Sequence, residues 1–367
     1  MKRWVTAIIT QVFSQEERGR ALGIVNAIGT LGVAIGPGLG GLLMSVGGWR
    51  LTFLVNVPLG LVAIFIVAFA LPSLASSKIS QSFDLVGAGL MTLTLTCFAL
   101  FMTRIQTFGF GESIELILLV VAAIGLVCFL IVESRLKEPM LDIGIFRLAD
   151  FSLNLLLLAM MFAVVAGMQL LLPVFLAVGK HYPPQEIGLL LTVLPLAAAL
   201  ASPIAGILSD RFGSRPVSMI GLLLMGLGCW GASGLNAEST VLGFLIRTVP
   251  LELGLGVFTA PNSDTIMSCV PQERIGIASG LWSLSRTLGM LSGVALLGTL
   301  FTMVTMSDTK FKHQLDVTTA PVEALVKGVD TTFAVMALIV LTSAILGIVL
   351  WWRSRSTIAE SNAEIAN

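Results

Sequence analysis

The sequence predicts an all-α, polytopic membrane protein with ten transmembrane helices. Three observations carry this. Of 367 residues, 56% are hydrophobic and only 11% charged, with a mean hydropathy of +0.97. A soluble domain carries about 25% charged residues, so the polar side chains here are too few to cover a globule and the excess apolar surface faces a bilayer. Second, long runs contain no charge at all, and a helix needs about 20 apolar residues to cross the hydrocarbon core. Runs without alternation exclude a β-barrel, which leaves helices to satisfy the backbone in lipid. Third, Lys and Arg concentrate in alternate loops, as they do in multi-pass chains.

The charge-free runs come in order. The first, 21–49, is glycine-rich and holds Pro37; the second, 51–77, follows Trp49 and Arg50 directly. Runs 85–103 and 116–132 form a short pair, the latter marginal in length. Run 151–179 holds Met160, Met161 and Met168, an adaptable apolar stretch that is either core or cavity lining. Runs 187–209 and 216–236 flank a charged turn. The eighth span, 241–266, is equally apolar but contains Arg247, Glu252 and Asp264. Run 287–306 follows Arg286, which falls inside the same span, and run 331–352 is the last. The connecting segments are short and rich in Pro, Gly, Ser and charge, as turns should be. With the N-terminus in the cytoplasm, thirteen Lys and Arg lie in cytoplasmic segments and seven outside, which places both termini inside.

Composition also excludes function classes. The net charge is +0, so nothing points to nucleic acid. Cys97, Cys128, Cys229 and Cys269 are widely spaced singletons and read as packing residues, neither a disulfide frame nor a metal site. Catalysis in lipid needs clustered His, Asp, Glu or Cys. The two histidines, His181 and His313, sit in separate outer loops, so the pattern is not that of an enzyme.

An internal repeat appears at an offset of 257 residues. Glu16 meets Glu273, Gly19 meets Gly276, Ala21 meets Ala278 and Gly23 meets Gly280, and the register continues from Gly32 to Gly289 and from Gly36 to Gly293. Two halves in the same orientation are the parallel repeat of large transporter folds. Gly32, Gly36 and Gly40 recur every four residues, line one helix face and predict a close helix contact there.

Depth singles out the embedded charges. Glu252 lies about eleven residues from the outer end of its run, near mid-membrane at about 1.5 Å per residue, and Arg286 lies at similar depth in the next helix. Such groups face a cavity or a partner. Glu252 pairs with Arg247 only if Pro250 kinks the turn; Arg286 is alternatively a structural donor to carbonyls; Asp264 is near enough to the cytoplasmic end to reach the interface. Asn26, Asn56, Asn154, Gln169 and Asn262 are further buried polar positions, as a rule helix-packing contacts.

The core Gly36-Pro37-Gly38-Leu39-Gly40-Gly41, with Gly32 a turn earlier, resembles the antiporter motif of the major facilitator superfamily. Trp49 and Arg50, followed by Asn56 and Pro58, look like the start of the next helix in that family's fourteen-span drug:proton antiporter branch. Gly206, Asp210, Arg211, Gly213 and Arg215 resemble the superfamily's loop motif, which in the family acts as a charged latch between helices of the rocking bundles. The resemblance covers about 8–352 and implies a two-bundle fold. Residues 1–72 correspond to the remainder of the N-terminal helical bundle, 73–147 to a two-helix insert, and 148–367 to the C-terminal bundle with a cytoplasmic tail. The ten spans take the places of the family's fifth to fourteenth, so its first four helices have no counterpart in this chain. The resemblance implies proton-coupled efflux of small drug-like or toxic compounds across a bacterial-type inner membrane. Glu252, Asp264 and Arg286 are the proton-coupling candidates. The expected partners are a small-molecule substrate, protons and lipid, with no cofactor, no metal and no nucleic acid; the oligomeric state stays open. A symporter of sugars or organic ions, which the antiporter glycines argue against, and a non-transporting remnant are the alternatives.

Overall fold

The computed structural model describes residues 15–70, 84–108, 113–135, 143–271, 274–307 and 320–366. Among them, ten α-helices follow one another: α1 Gln15–Leu54, α2 Asn56–Ala70, α3 Leu85–Phe108, α4 Ser113–Arg135, α5 Ala149–Val174, α6 Pro184–Phe212, α7 Ser214–Ser233, α8 Val241–Ser268, α9 Ile275–Met306 and α10 Val322–Ala366. A 3₁₀ turn, Ile143–Arg147, leads into α5, and a π-helical segment, Phe175–Gly179, extends it. Nine of these helices are long and apolar enough to cross a membrane. The second expected span is represented by α2, whose apolar stretch Asn56–Ile66 is shorter; residues 71–77 of that span lie outside the described residues.

Local chemistry sets the boundaries. The marginal run 116–132 becomes the 23-residue α4 because helix continues to Ser113 on one side and Arg135 on the other. Within α1, Gly48 (φ +68°, ψ −175°) breaks the helical path where the first expected span ends. Thr240 caps α8, its Oγ1 accepting a 3.1 Å hydrogen bond from the Gly243 N–H. Between α6 and α7 the chain turns in a single residue, Gly213, at φ +88°, a conformation that L side chains rarely adopt.

Helices α6, α8, α5 and α9 pack side by side in that order, with α7 against α8 and α10 against α7, α5 and α9. These six surround the main core, built on Leu158, Met161, Met168, Phe175, Phe258 and Phe333. Met161 and Met168 are buried in it, which is the core reading of the methionine stretch. Glycines bring backbones together at α5–α9: a Cβ added to Gly289 would fall 2.8 Å from Ala159 Cα, and one on Gly293 2.5 Å from Ala163 Cα. The α3–α4 pair leans on α9 through Phe101, Met102 and Ile105 against Ala295. On the other flank, α1 packs against α6.

Candidate functional site

At the α6–α7 turn a polar chain joins four helices. Arg215, at the start of α7, forms a 2.7 Å ion pair with Asp150 in the first turn of α5. Ser209 Oγ donates to Ser214 Oγ (2.8 Å), and Ser214 Oγ donates to Asp264 Oδ2 (2.7 Å). Deeper in, Asn154 Nδ2 donates to the Asp150 carbonyl (2.7 Å), and Asn262 Nδ2 donates to Asn154 Oδ1 (3.0 Å). The loop motif thus lies at a junction of four helices, with Arg215 as its ion-pairing residue. Asp210 neither caps α7 nor bonds an arginine among the described residues, and Arg211 lies 5.8 Å from the Phe212 ring centroid. A Cβ on Gly206 would meet nothing within 4 Å among the described residues. Cys269, one residue past α8, has its thiol pushed up by burial and by the Asp150 charge, against an opposing pull from Arg215.

The proton-coupling candidates separate by depth. Asp264 is exposed at the turn end, bonded to Ser214. Glu252 is buried (3% exposed) in the middle stretch of α8. It lies one turn from Gly256, whose Cβ position falls 3.0 Å from Ala198 Cα of α6. The Arg247 pairing considered from the sequence does not form: the Arg247 guanidinium donates to the Gly234 carbonyl (2.8 Å) and to Ser239 Oγ (3.1 Å). Among the described residues, no hydrogen bond or ion pair engages the Glu252 carboxylate. Arg286 is exposed on α9, its guanidinium 5.0 Å from the Phe162 ring centroid of α5. The structure therefore does not bring Glu252, Asp264 and Arg286 together.

Among the described residues, the glycine motif packs through a different face from the expected one. A Cβ on Gly41 would fall 3.0 Å from Gly188 Cα of α6, and one on Gly188 would fall 2.6 Å from the Pro37 carbonyl. Gly38 lies against Thr192 Oγ1. By contrast, Cβ atoms on Gly32, Gly36 and Gly40 would meet no atom within 4 Å among the described residues, so the predicted stripe makes no close contact with them. Trp49 is exposed and Arg50 stacks on it at 5.0 Å; Asn56 Nδ2 donates to the Thr52 carbonyl (3.2 Å), and Pro58 sits in the first turn of α2. Of the other polar positions, Gln169 is exposed and the Asn26 side chain lies outside the described residues. Spacing does not single out Asp150, Phe162 or Trp282. Asp150 is a lone acid after a 3₁₀ turn, and the aromatics sit in otherwise ordinary apolar runs.

A packed bundle that carries charged side chains at membrane depth, crossed by a helix on small residues, is the construction of an α-helical membrane transporter. Within that class the chain belongs to the Major Facilitator Superfamily, whose sequence profile matches residues 5–179 and 155–366. It is 31% identical over 330 residues to the uncharacterized transporter YebQ of Escherichia coli strain K12, covering 89% of this chain and 71% of that protein. It is 29% identical over 306 residues to the riboflavin transporter RibZ of Clostridioides difficile strain 630 (83% and 66%). With the multidrug resistance protein Stp of Mycobacterium tuberculosis strain H37Rv it shares 31% over 293 residues (80% and 54%). The chain thus spans between about half and three-quarters of the length of these relatives.

Proposed function

We propose that the protein takes part in proton-coupled export of small drug-like or toxic compounds across a bacterial-type inner membrane, with both termini cytoplasmic. In this reading α5–α10 form the C-terminal bundle, α3 and α4 the insert, and α1 and α2 part of the N-terminal bundle. The observation that carries it is Glu252: a buried carboxylate in the middle of a membrane-length helix, bonded to nothing among the described residues. Such a group is expensive unless it serves a pathway. Its charged and neutral forms differ in their cost at this depth, so gaining or losing a proton shifts the balance between conformations that bury it differently. Asp264 and Arg215 belong to the cytoplasmic latch, which opens and closes with that balance. The relation to a multidrug resistance protein supports export. The relation to a riboflavin transporter favours a second reading, carriage of an organic metabolite, possible for the same machinery with a different cargo.

The test is transport in proteoliposomes under an imposed pH gradient, with ethidium, riboflavin and naphthalene-2-sulfonate as cargo and protein-free liposomes as control. Gradient-driven movement of at least one compound is expected, and its loss in Glu252→Gln. If no compound responds to the gradient, proton-coupled export is wrong.

A further inference from the structure

Arg286 stands at the contact between α5 and α9, its guanidinium 5.0 Å from the Phe162 ring centroid. Helices α5 and α9 run in a fixed register. Ser285 Oγ donates to the Leu155 carbonyl across a separation of 130 residues, and Gly289 on Ala159 and Gly293 on Ala163 keep the same offset. That register puts the Arg286 backbone level with Leu156. Its guanidinium lies over the ring of Phe162, whose backbone is six residues further along α5; helix side chains lean toward the N-terminus, so the ring hangs back toward Arg286 and also meets Trp282.

Arg286 is exposed, and its described neighbours present flat apolar faces and a donor. Arg286 makes no ion pair or hydrogen bond among the described residues; its contact is the Phe162 ring. Phe162 meets Trp282 edge to face, centroids 6.5 Å apart at 78°. The Trp282 Nε1–H is buried and has no acceptor among the described residues. Trp282, Arg286 and Met290 recur every four residues and so share one face of α9; Trp282 and Met290 also pack against the main core, which holds that face in place. A guanidinium supplies five N–H donors and an indole one, and neither can accept. Their natural complement is an anionic group with two or more oxygens on a planar apolar body: the oxygens take the guanidinium in a two-point contact and the indole N–H, and the body lies along the aromatic edges.

We propose that Arg286, Trp282 and Phe162 form a binding site for aromatic anions, such as aryl carboxylates and sulfonates. That the anion is the cargo rests on the transporter reading; that it binds does not. The site makes charge, not mere apolarity, the selected property. A neutral analogue of the same shape leaves the guanidinium unpaired.

The test is equilibrium dialysis of the protein in nanodiscs, with naphthalene-2-sulfonate against the uncharged naphthalene-2-sulfonamide. Wild type is expected to bind the sulfonate about tenfold or more tightly than the sulfonamide, the scale of one charge-assisted two-point contact. Arg286→Gln is expected to bring the two to similar affinity, Arg286→Lys to keep part of the preference, and Trp282→Phe to weaken the sulfonate alone. Equal binding of both probes by wild type overturns the proposal without any variant having to fold; so does a preference that survives Arg286→Gln. Discs of phosphatidylcholine and of phosphatidylglycerol separate the sources of the anion. A preference that persists in both supports a small-molecule site, whereas loss in the anionic lipid assigns Arg286 to a lipid headgroup and overturns it. Charge-selective binding without gradient-driven transport would leave this site standing and remove the export reading; transport without charge-selective binding would do the reverse.

Discussion

Asp150 and Arg215 stand 65 residues apart in the chain and tie α5 to α7 with one 2.7 Å contact. Their side chains are 35% and 31% exposed, so solvent screening holds the pair to about 1 kcal/mol or less. Its use is positional. A double-mutant cycle with Asp150→Asn and Arg215→Gln, read by thermal unfolding in detergent, is expected to return a coupling of about 1 kcal/mol or below. A coupling near 3 kcal/mol would mean that the pair is desolvated and holds the bundle shut. Arg215 is legible from the spacing of its motif, but Asp150 is not, because no local pattern marks the acid that a distant arginine selects. Asn154 and Asn262 are legible as buried amides one by one; only the α5–α8 crossing makes them a pair. The depth of Glu252 and Arg286 follows from counting residues along a helix. Whether they meet depends on how each helix is rotated about its axis, which depth does not encode, and they do not meet.

Helix α1 crosses α6 on Gly38 and Gly41, with Gly188 as the opposing small residue. Ser45 and Gln185 report on this crossing, being joined by a 2.7 Å hydrogen bond from Gln185 Nε2 to Ser45 Oγ. Ser45→Cys and Gln185→Cys together should form a cross-link readily. Adding Gly41→Val should slow cross-linking markedly, since overpacking of a tight contact costs about 1–3 kcal/mol, while adding Gly36→Val should leave it unchanged. Inhibition by Gly36→Val would place the working contact on the other face of α1. Both glycine stripes are present in the sequence, so periodicity alone cannot choose between them. The partner's own small residue, Gly188, decides it. Span positions are legible for a simpler reason: hydrocarbon excludes charge, so a charge-free run marks a helix before any contact is known. The helices then extend past the runs, α4 to Ser113 and Arg135 and α9 back to Ile275.

At the scale of the molecule, the nine apolar helices and α2 match the count of ten spans, and the family match supports transport as their purpose. The split of thirteen to seven in Lys and Arg predicts the orientation. In a cysteine-free background, single cysteines at Ser214 and Ser356 should react with an impermeant maleimide from the cytoplasmic side, and one at His181 from outside. Outside labelling of Ser214 or Ser356 would invert the orientation and with it the latch. Proton coupling through Glu252 is tested most directly by substrate-induced proton release in proteoliposomes, comparing wild type, Glu252→Gln and Asp264→Asn with a compound that wild type transports. Wild type and Asp264→Asn should release protons when the compound is added; Glu252→Gln should release none while still exchanging compound for compound. Proton release that survives in Glu252→Gln, or that is lost only in Asp264→Asn, would contradict the assignment.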